Sequence, residues 1–278
     1  MSSDEGDDGD LTRKQRREQA RAQRKAMEEA AAASAARRTR LTQLGVAVAV
    51  VVVAIVIVLI ATSGGSKSGL QKGNEKNTTV TQISSLIGGI PQSGNALGSP
   101  AAPVTLKYFG DLECPICREF TLGALPQIIE KYVRPGKVRI EYHSMETATH
   151  EPEVFNTQQV AAYAAGRQNK AWYFIETFYH EQGEEDSGYV TESYLQGIAK
   201  QVPGLNLAKW ASDRNDSELA NEVATDKQIA NNEGFNGTPS FLIGKSGGGT
   251  EKITELSDED LKEASALFGP KIEKLLAS

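Results

Sequence analysis

Cysteine is almost missing from this sequence: the chain has two, Cys114 and Cys117, with two residues between them. A bridge closing so short a loop removes little entropy from the unfolded chain, so a structural staple is excluded as their main use. Histidine is nearly as scarce. His143, His150 and His180 are scattered, so one CxxC finds no second ligand pair to complete a four-coordinate zinc site. Beyond residue 62 no basic face interleaved with aromatics occurs, which excludes a nucleic-acid binder. The Gly-rich stretch 245–250 lacks the GK[ST] ending of a phosphate loop. Charge is absent between Arg40 and Lys67. Nothing in the pattern calls for a metal or an organic cofactor.

What is present is unevenly distributed. The formal net charge of −6 combines an acidic stretch 1–10, a strongly basic stretch 11–40 and an acidic remainder, so a global pI is uninformative. The 278 residues suffice for one sizeable domain with appendages. Residues 1–40 read as a cytoplasmic basic tail, disordered or loosely helical. Residues 41–62 carry an uninterrupted apolar or small run long enough to span a hydrocarbon core, and read as a transmembrane anchor. A cleaved signal peptide is the rival, disfavoured by the long charged tail and the longer apolar run. Arg37, Arg38 and Arg40 hold the N-terminus in the cytoplasm, which leaves everything after residue 62 outside, in oxidising surroundings. Residues 63–96 read as an extracytoplasmic tether, with a short helix or an edge strand within 80–90.

The stretch 104–109, β-branched and aromatic, reads as a strand, and Phe120, Ala124, Ile128 and Tyr132 form the apolar stripe of a helix over 118–133, kinked at Pro126. The cysteine pair therefore sits at a strand-to-helix junction, with Cys114 near the N-cap and Pro115 at the first helical position. Free N–H groups there favour an anion, here the Cys114 thiolate, while Cys117 is the buried, resolving thiol. Idle thiols are the competing reading. A strand over 137–142 completes a βαβ unit. A helical section about 152–233 follows, with Tyr163, Trp172, Phe174, Phe178, Tyr194, Leu195 and Trp210 as its core. A hairpin and a final helix opened by Ser257 and Asp260 close the chain.

This order, with Tyr-Phe-Gly-Asp-Leu-Glu-Cys-Pro-Ile-Cys117, Pro126, Gln168-Asn-Lys-Ala-Trp172 and Gly237-Thr-Pro-Ser-Phe241, resembles the DsbA-like thiol:disulfide oxidoreductases over 97–278. The resemblance implies an α/β fold, thioredoxin-like with a helical insertion, preceded here by the single transmembrane helix. It implies that Cys114, Cys117 and Pro239 are catalytic, Thr238-Pro239 being a cis-proline loop, and that Thr238, Pro115 and Ile116 meet substrate. It also offers Asp111 or Glu113 as proton acceptors behind the pair and Glu141 as a buried acid near Cys117, against the plainer reading of surface charges. The dipeptide Pro115-Ile116 lacks the histidine of the most oxidising relatives, which leaves the potential open. Expected partners are exported cysteine-containing proteins and a membrane reoxidant of the DsbB or vitamin K epoxide reductase type. A reductase or isomerase of the same fold is the alternative, weakened by the lack of an added dimerisation domain. A non-enzymatic peptide- or partner-binding module is the other.

Overall fold

The structure, a computed structural model, describes residues 70, 74–253, 256–264 and 267–278, all within the unit Lys67–Ser278. Among them no helix is long and apolar enough to cross a membrane, and the expected tail and anchor, 1–62, lie outside the described residues. In chain order the elements are α1 (Asn74–Ile87), β1 (Gln92–Ser93), β2 (Ala96–Leu97), β3 (Val104–Gly110), α2 (Pro115–Leu122), α3 (Ala124–Ile128) and a π-helical turn (Ile129–Val133). Next come β4 (Val138–Ser144), α4 (Pro152–Gly166), α5 (Ala171–His180), α6 (Glu192–Ala199), α7 (Leu207–Asp213) and α8 (Ser217–Asn232). The chain closes with β5 (Ser240–Lys245), β6 (Thr250–Ile253), α9 (Asp258–Lys262) and α10 (Phe268–Ala277).

The strands form one sheet in the order β1-β2-β4-β3-β5-β6. Only β3 and β4 run parallel, joined through α2 and α3, as a crossover requires. Alternation along β3 buries Val104, Leu106 and Tyr108 on one face. There Tyr108 meets Phe120 of α2 edge-on and stacks on Phe241 of β5, and Phe268 of α10 packs against both phenylalanines. Trp172 and Tyr179 of α5 close the same face against Tyr142 and Tyr108. On the opposite face Phe109, Leu242 and Met145 pack with Ala230 of α8 in a smaller cluster. The helical section is capped as its sequence dictates: Thr191, Asn206 and Asp216 each accept an N–H of the helix they open. All seven of its expected core residues are buried.

Three expectations need correction. The tether reading of 63–96 does not hold over 74–96: the short helix expected within 80–90 is there but begins earlier, as α1, which buries Ile83 and Ile87 and is followed by β1 and β2. A segment rich in Thr, Asn and Ser is a poor helix former, and tertiary contacts hold it: Arg134 donates to the carbonyls of Ser85, Leu86 and Gly88 at the α1 C-terminus. Second, the helix after the cysteines breaks at Gly123 rather than bending at Pro126. The proline ring clashes with the carbonyl four residues back, at Leu122. A Cβ on Gly123 would lie 2.6 Å from the Leu261 carbonyl oxygen, so α9 crosses at the break. Third, the closing helix is two helices. The Ser257–Asp260 capping box opens α9, which ends at Glu263 in extended backbone before α10 begins.

Candidate active site

β3 ends at Gly110, and the next residues turn so that the Cys114 N–H reaches the Asp111 carbonyl at 3.1 Å. Cys114 is the N-cap of α2, with extended backbone, and Pro115 fills the first helical position where a missing N–H costs nothing. The Cys114 Sγ accepts the Cys117 N–H at 3.4 Å and lies 3.5 Å from the Thr238 carbonyl oxygen. The Thr238–Pro239 peptide is cis. Both cysteines are free thiols: Cys117 is fully buried, Cys114 is 5% exposed, and Ile116 between them is 45% exposed. One sulfur is thus reachable and the other is not.

The electrostatics divide the pair in the same sense. The Cys114 thiol is brought down to about 7, first by the hydrogen bond from the Cys117 thiol; burial opposes this, and Thr238 and the Cys117 and Ile116 amides add to it. Burial, and then the neighbouring Cys114 sulfur, pushes the Cys117 thiol well up. The sequence assigned the stabilisation of the thiolate to amides and the helix dipole. The larger cause is the partner thiol, which becomes a donor only because burial keeps it protonated. Lowering a thiol from 9.0 to about 7 favours its thiolate by roughly 3 kcal/mol.

This gives a direct expectation for the reduced protein. Cys114 should be half thiolate near pH 7, with the fraction falling about tenfold per unit below it. Iodoacetamide trapping across pH should show a midpoint near 7 that moves up in Cys117→Ala, which lacks the donor. A midpoint unchanged by Cys117→Ala would show that the amides suffice.

The acids behind the pair are placed unequally. Asp111 is fully buried and accepts the N–H groups of Glu113, Thr147, Ala148 and Thr149 and the Thr149 hydroxyl, at 2.6–3.1 Å. Its carboxylate fixes the loop after β4 against the cysteine turn, rather than lying on the surface. Glu113 is 3% exposed, and burial, with Asp111, Asp186 and Glu185 nearby, raises its carboxyl to about 7 against a hydrogen bond from Thr149. Glu141 is not brought to Cys117. On β4 it neighbours Tyr142, whose ring faces the Cys117 side, so alternation sends Glu141 to the other face. There it pairs with Arg139 at 3.3 Å, and His143 chiefly holds its carboxyl low.

Residues that sequence reasoning missed complete the site. Tyr108 Oη approaches the Cys117 carbonyl at 3.4 Å and donates to Tyr179 Oη, which donates to the Asp111 carbonyl at 3.0 Å. The Gln182 side-chain amide donates to the carbonyls of Leu112 and Cys114. Tyr108 lies in the strand just before the cysteines, but no local signal marks Tyr179 and Gln182, because they come to the cysteines from far along the chain. Beside the pair a groove of about 540 Å³ runs past Ile116, Thr238 and Pro239 to Phe235, Ile253 and Leu261. Elsewhere, His150, Glu185 and Asp186 each bring a potential metal-ligand atom within 4.8 Å of the others at the surface; neither cysteine belongs to that group.

The sequence model of the family described as Thioredoxin matches residues 92–264. A Bacillus anthracis protein, probable disulfide bond formation protein D, is 27% identical over 149 residues, covering 53% of this chain and 68% of that protein. Oxidised BdbD from Bacillus subtilis aligns with a TM-score of 0.56 at 20% identity, over 68% of this chain and 98% of that one. Alpha-DsbA1 from Wolbachia pipientis aligns with a TM-score of 0.52 at 21% identity, over 66% and 90%. At these identities the two structures speak for the fold alone.

Proposed function

The chain belongs to the thioredoxin family and is a DsbA-like protein thiol:disulfide oxidoreductase, and we propose that it works tethered outside the cytoplasmic membrane, passing a Cys114–Cys117 disulfide to exported proteins. The observation that carries this reading is the unequal pair: a reachable sulfur lowered to about 7 and, one turn later, a fully buried one pushed up. In the oxidised protein a substrate thiolate attacks Cys114 Sγ. The bond between the two enzyme sulfurs breaks, and Cys117 leaves as a thiolate that takes up a proton, since its burial penalises the charge. A second substrate thiolate then attacks the substrate sulfur of the mixed disulfide and expels Cys114, which is a good leaving group because its thiolate is stabilised. Two electrons pass from substrate to enzyme.

Cys114, Cys117 and Pro239 are the proposed catalytic residues, with Thr238, Pro115 and Ile116 meeting substrate. The Thr238 carbonyl beside Cys114 supports an extended substrate segment pairing with the Thr238 backbone, as in strand addition, with side chains entering the adjoining groove. Glu113, raised to about 7, is a proton acceptor suited to the turnover of Cys117, and Asp111 holds the turn that carries it. Reoxidation belongs to a membrane partner of the DsbB or vitamin K epoxide reductase type, by resemblance only. The domain boundaries proposed outside the described residues remain those of the sequence: a cytoplasmic tail over 1–40 and an anchor over 41–62.

The oxidised full-length protein in detergent, mixed with a reduced two-cysteine peptide, should consume two peptide thiols per enzyme disulfide, and a C-terminal reporter active only outside the cytoplasm should be active in cells. A reporter that stays inactive although the fusion is made at full length would remove the tethered, exported reading. Enzyme found reduced at steady state in cells, with a low reduction potential, would favour the reductase alternative.

A further inference from the structure

The segment that carries Cys114 is held by the helical insertion as much as by its own helix. Tyr179 Oη, in the last turn of α5, donates to the Asp111 carbonyl at 3.0 Å. Gln182, just past the end of α5, donates its side-chain amide to the Leu112 carbonyl at 2.7 Å and the Cys114 carbonyl at 3.1 Å. Arg118, within α2, returns the contact through its Nε to the Tyr179 carbonyl at 2.9 Å. Leu112 is fully buried, so its carbonyl has little access to water if the amide is removed. The Cys114 carbonyl is also the first acceptor within α2, taking the Arg118 N–H at 3.1 Å. Gln182 therefore grips both the residue that sets the entry angle of the cysteine turn and the residue that starts the helix.

We infer that Gln182 is a positioning residue for disulfide exchange: its amide ties the Leu112 and Cys114 carbonyls and so aims the Cys117 N–H and thiol at Cys114 Sγ. The inference rests on the oxidoreductase reading above and adds to it a part for the insertion. The amide hydrogens also offset two carbonyl dipoles close to the sulfur. Without them the thiolate loses both a fixed donor geometry and a favourable field.

The test compares the full-length reduced protein with Gln182→Met, which keeps length and loses the donors, and Gln182→Glu, which sets a carboxylate against two carbonyls. Gln127→Met serves as the control, because the Gln127 amide also donates to a carbonyl, that of Lys262, away from the cysteines. The readouts are the pH midpoint of Cys114 alkylation and the equilibrium with glutathione. Gln182→Met should raise the midpoint by about half a unit and shift the equilibrium roughly threefold toward the disulfide form, and Gln182→Glu by about one unit and tenfold. Gln127→Met should move neither. If the Gln182 variants melt earlier but keep the wild-type midpoint and equilibrium, the glutamine is only structural and the inference fails. If one variant does not fold, the other still decides. A wild type that exchanges no disulfide with glutathione would sink the oxidoreductase reading, while the alkylation midpoints would still decide the part played by Gln182.

Discussion

Cys117→Ala, its remaining Cys114 first capped by a small aromatic disulfide, should capture a single-cysteine peptide as a persistent mixed disulfide. In the wild type the same adduct is short-lived, because Cys117 sits one turn away and attacks Cys114 Sγ, expelling the peptide thiolate and restoring the internal disulfide. Held in contact, such a thiol acts at a high effective concentration, so its removal should lengthen the life of the adduct on the order of a hundredfold or more. Cys114→Ser should form no adduct, since Cys117 is fully buried and its thiol is pushed well up. The Cys117 thiol is also the chief donor to Cys114, so the variant carries less thiolate at pH 7, and the capping step is best run near pH 8.5. Non-reducing gels and intact mass measure the outcome. Adducts on Cys114→Ser, or equally brief adducts on wild type and Cys117→Ala, would reverse the assignment of attacking and resolving sulfurs.

Glu176→Gln should stabilise the fold, increasingly so as pH rises. Glu176 is fully buried on α5, both its carboxyl oxygens lack a hydrogen-bond partner, and burial alone raises it from 4.5 to about 8. Between those values the unfolded chain has lost the proton and the folded chain keeps it. The folded state therefore binds more protons, and stability falls as pH rises from about 4.5 to about 8, then levels. At pH 7 the loss is roughly 3 kcal/mol relative to acid, from about 1.4 kcal/mol per unit over the interval above 4.5. Glutamine keeps an unpartnered polar group of the same shape and removes only the titration. The difference between the two unfolding curves should be small near pH 4.5 and reach roughly 3 kcal/mol at pH 7, about 6–12 °C in melting temperature for a domain of this size. Glu113, also raised, contributes a slope of the same sign to both proteins and cancels in the comparison. Parallel curves would show that Glu176 ionises in the folded protein without cost.

Much of the site was legible because its information is local. The strand before Cys114, Pro115 at the first helical position and the spacing to Cys117 are all set by neighbouring residues, and so are the caps at Thr191, Asn206, Asp216 and Ser257. Elements that stand on distant contacts were misread or missed. α1 has weak helical propensity and stands on Arg134. Asp111 and Glu113 looked like surface charges because sequence does not show that the loop after β4 folds over them. Glu141 was offered near Cys117 beside the plainer reading of a surface charge, and one position along β4 sends it to the other face. Gln182 and Tyr179 reach the cysteine turn across about 70 residues, beyond any periodicity.

By itself, then, the sequence determined which two sulfurs are paired, that one opens a helix, and the order of elements about them, since helix starts and strand alternation depend on residues a few positions apart. Tertiary structure alone decided that the Cys117 thiol, more than the helix amides, lowers Cys114, that a lone carboxyl is enclosed on α5, and that the insertion grips the cysteine turn. Burial and long-range hydrogen bonds arise only when distant segments meet, and the free energy of a charge depends on what has closed around it.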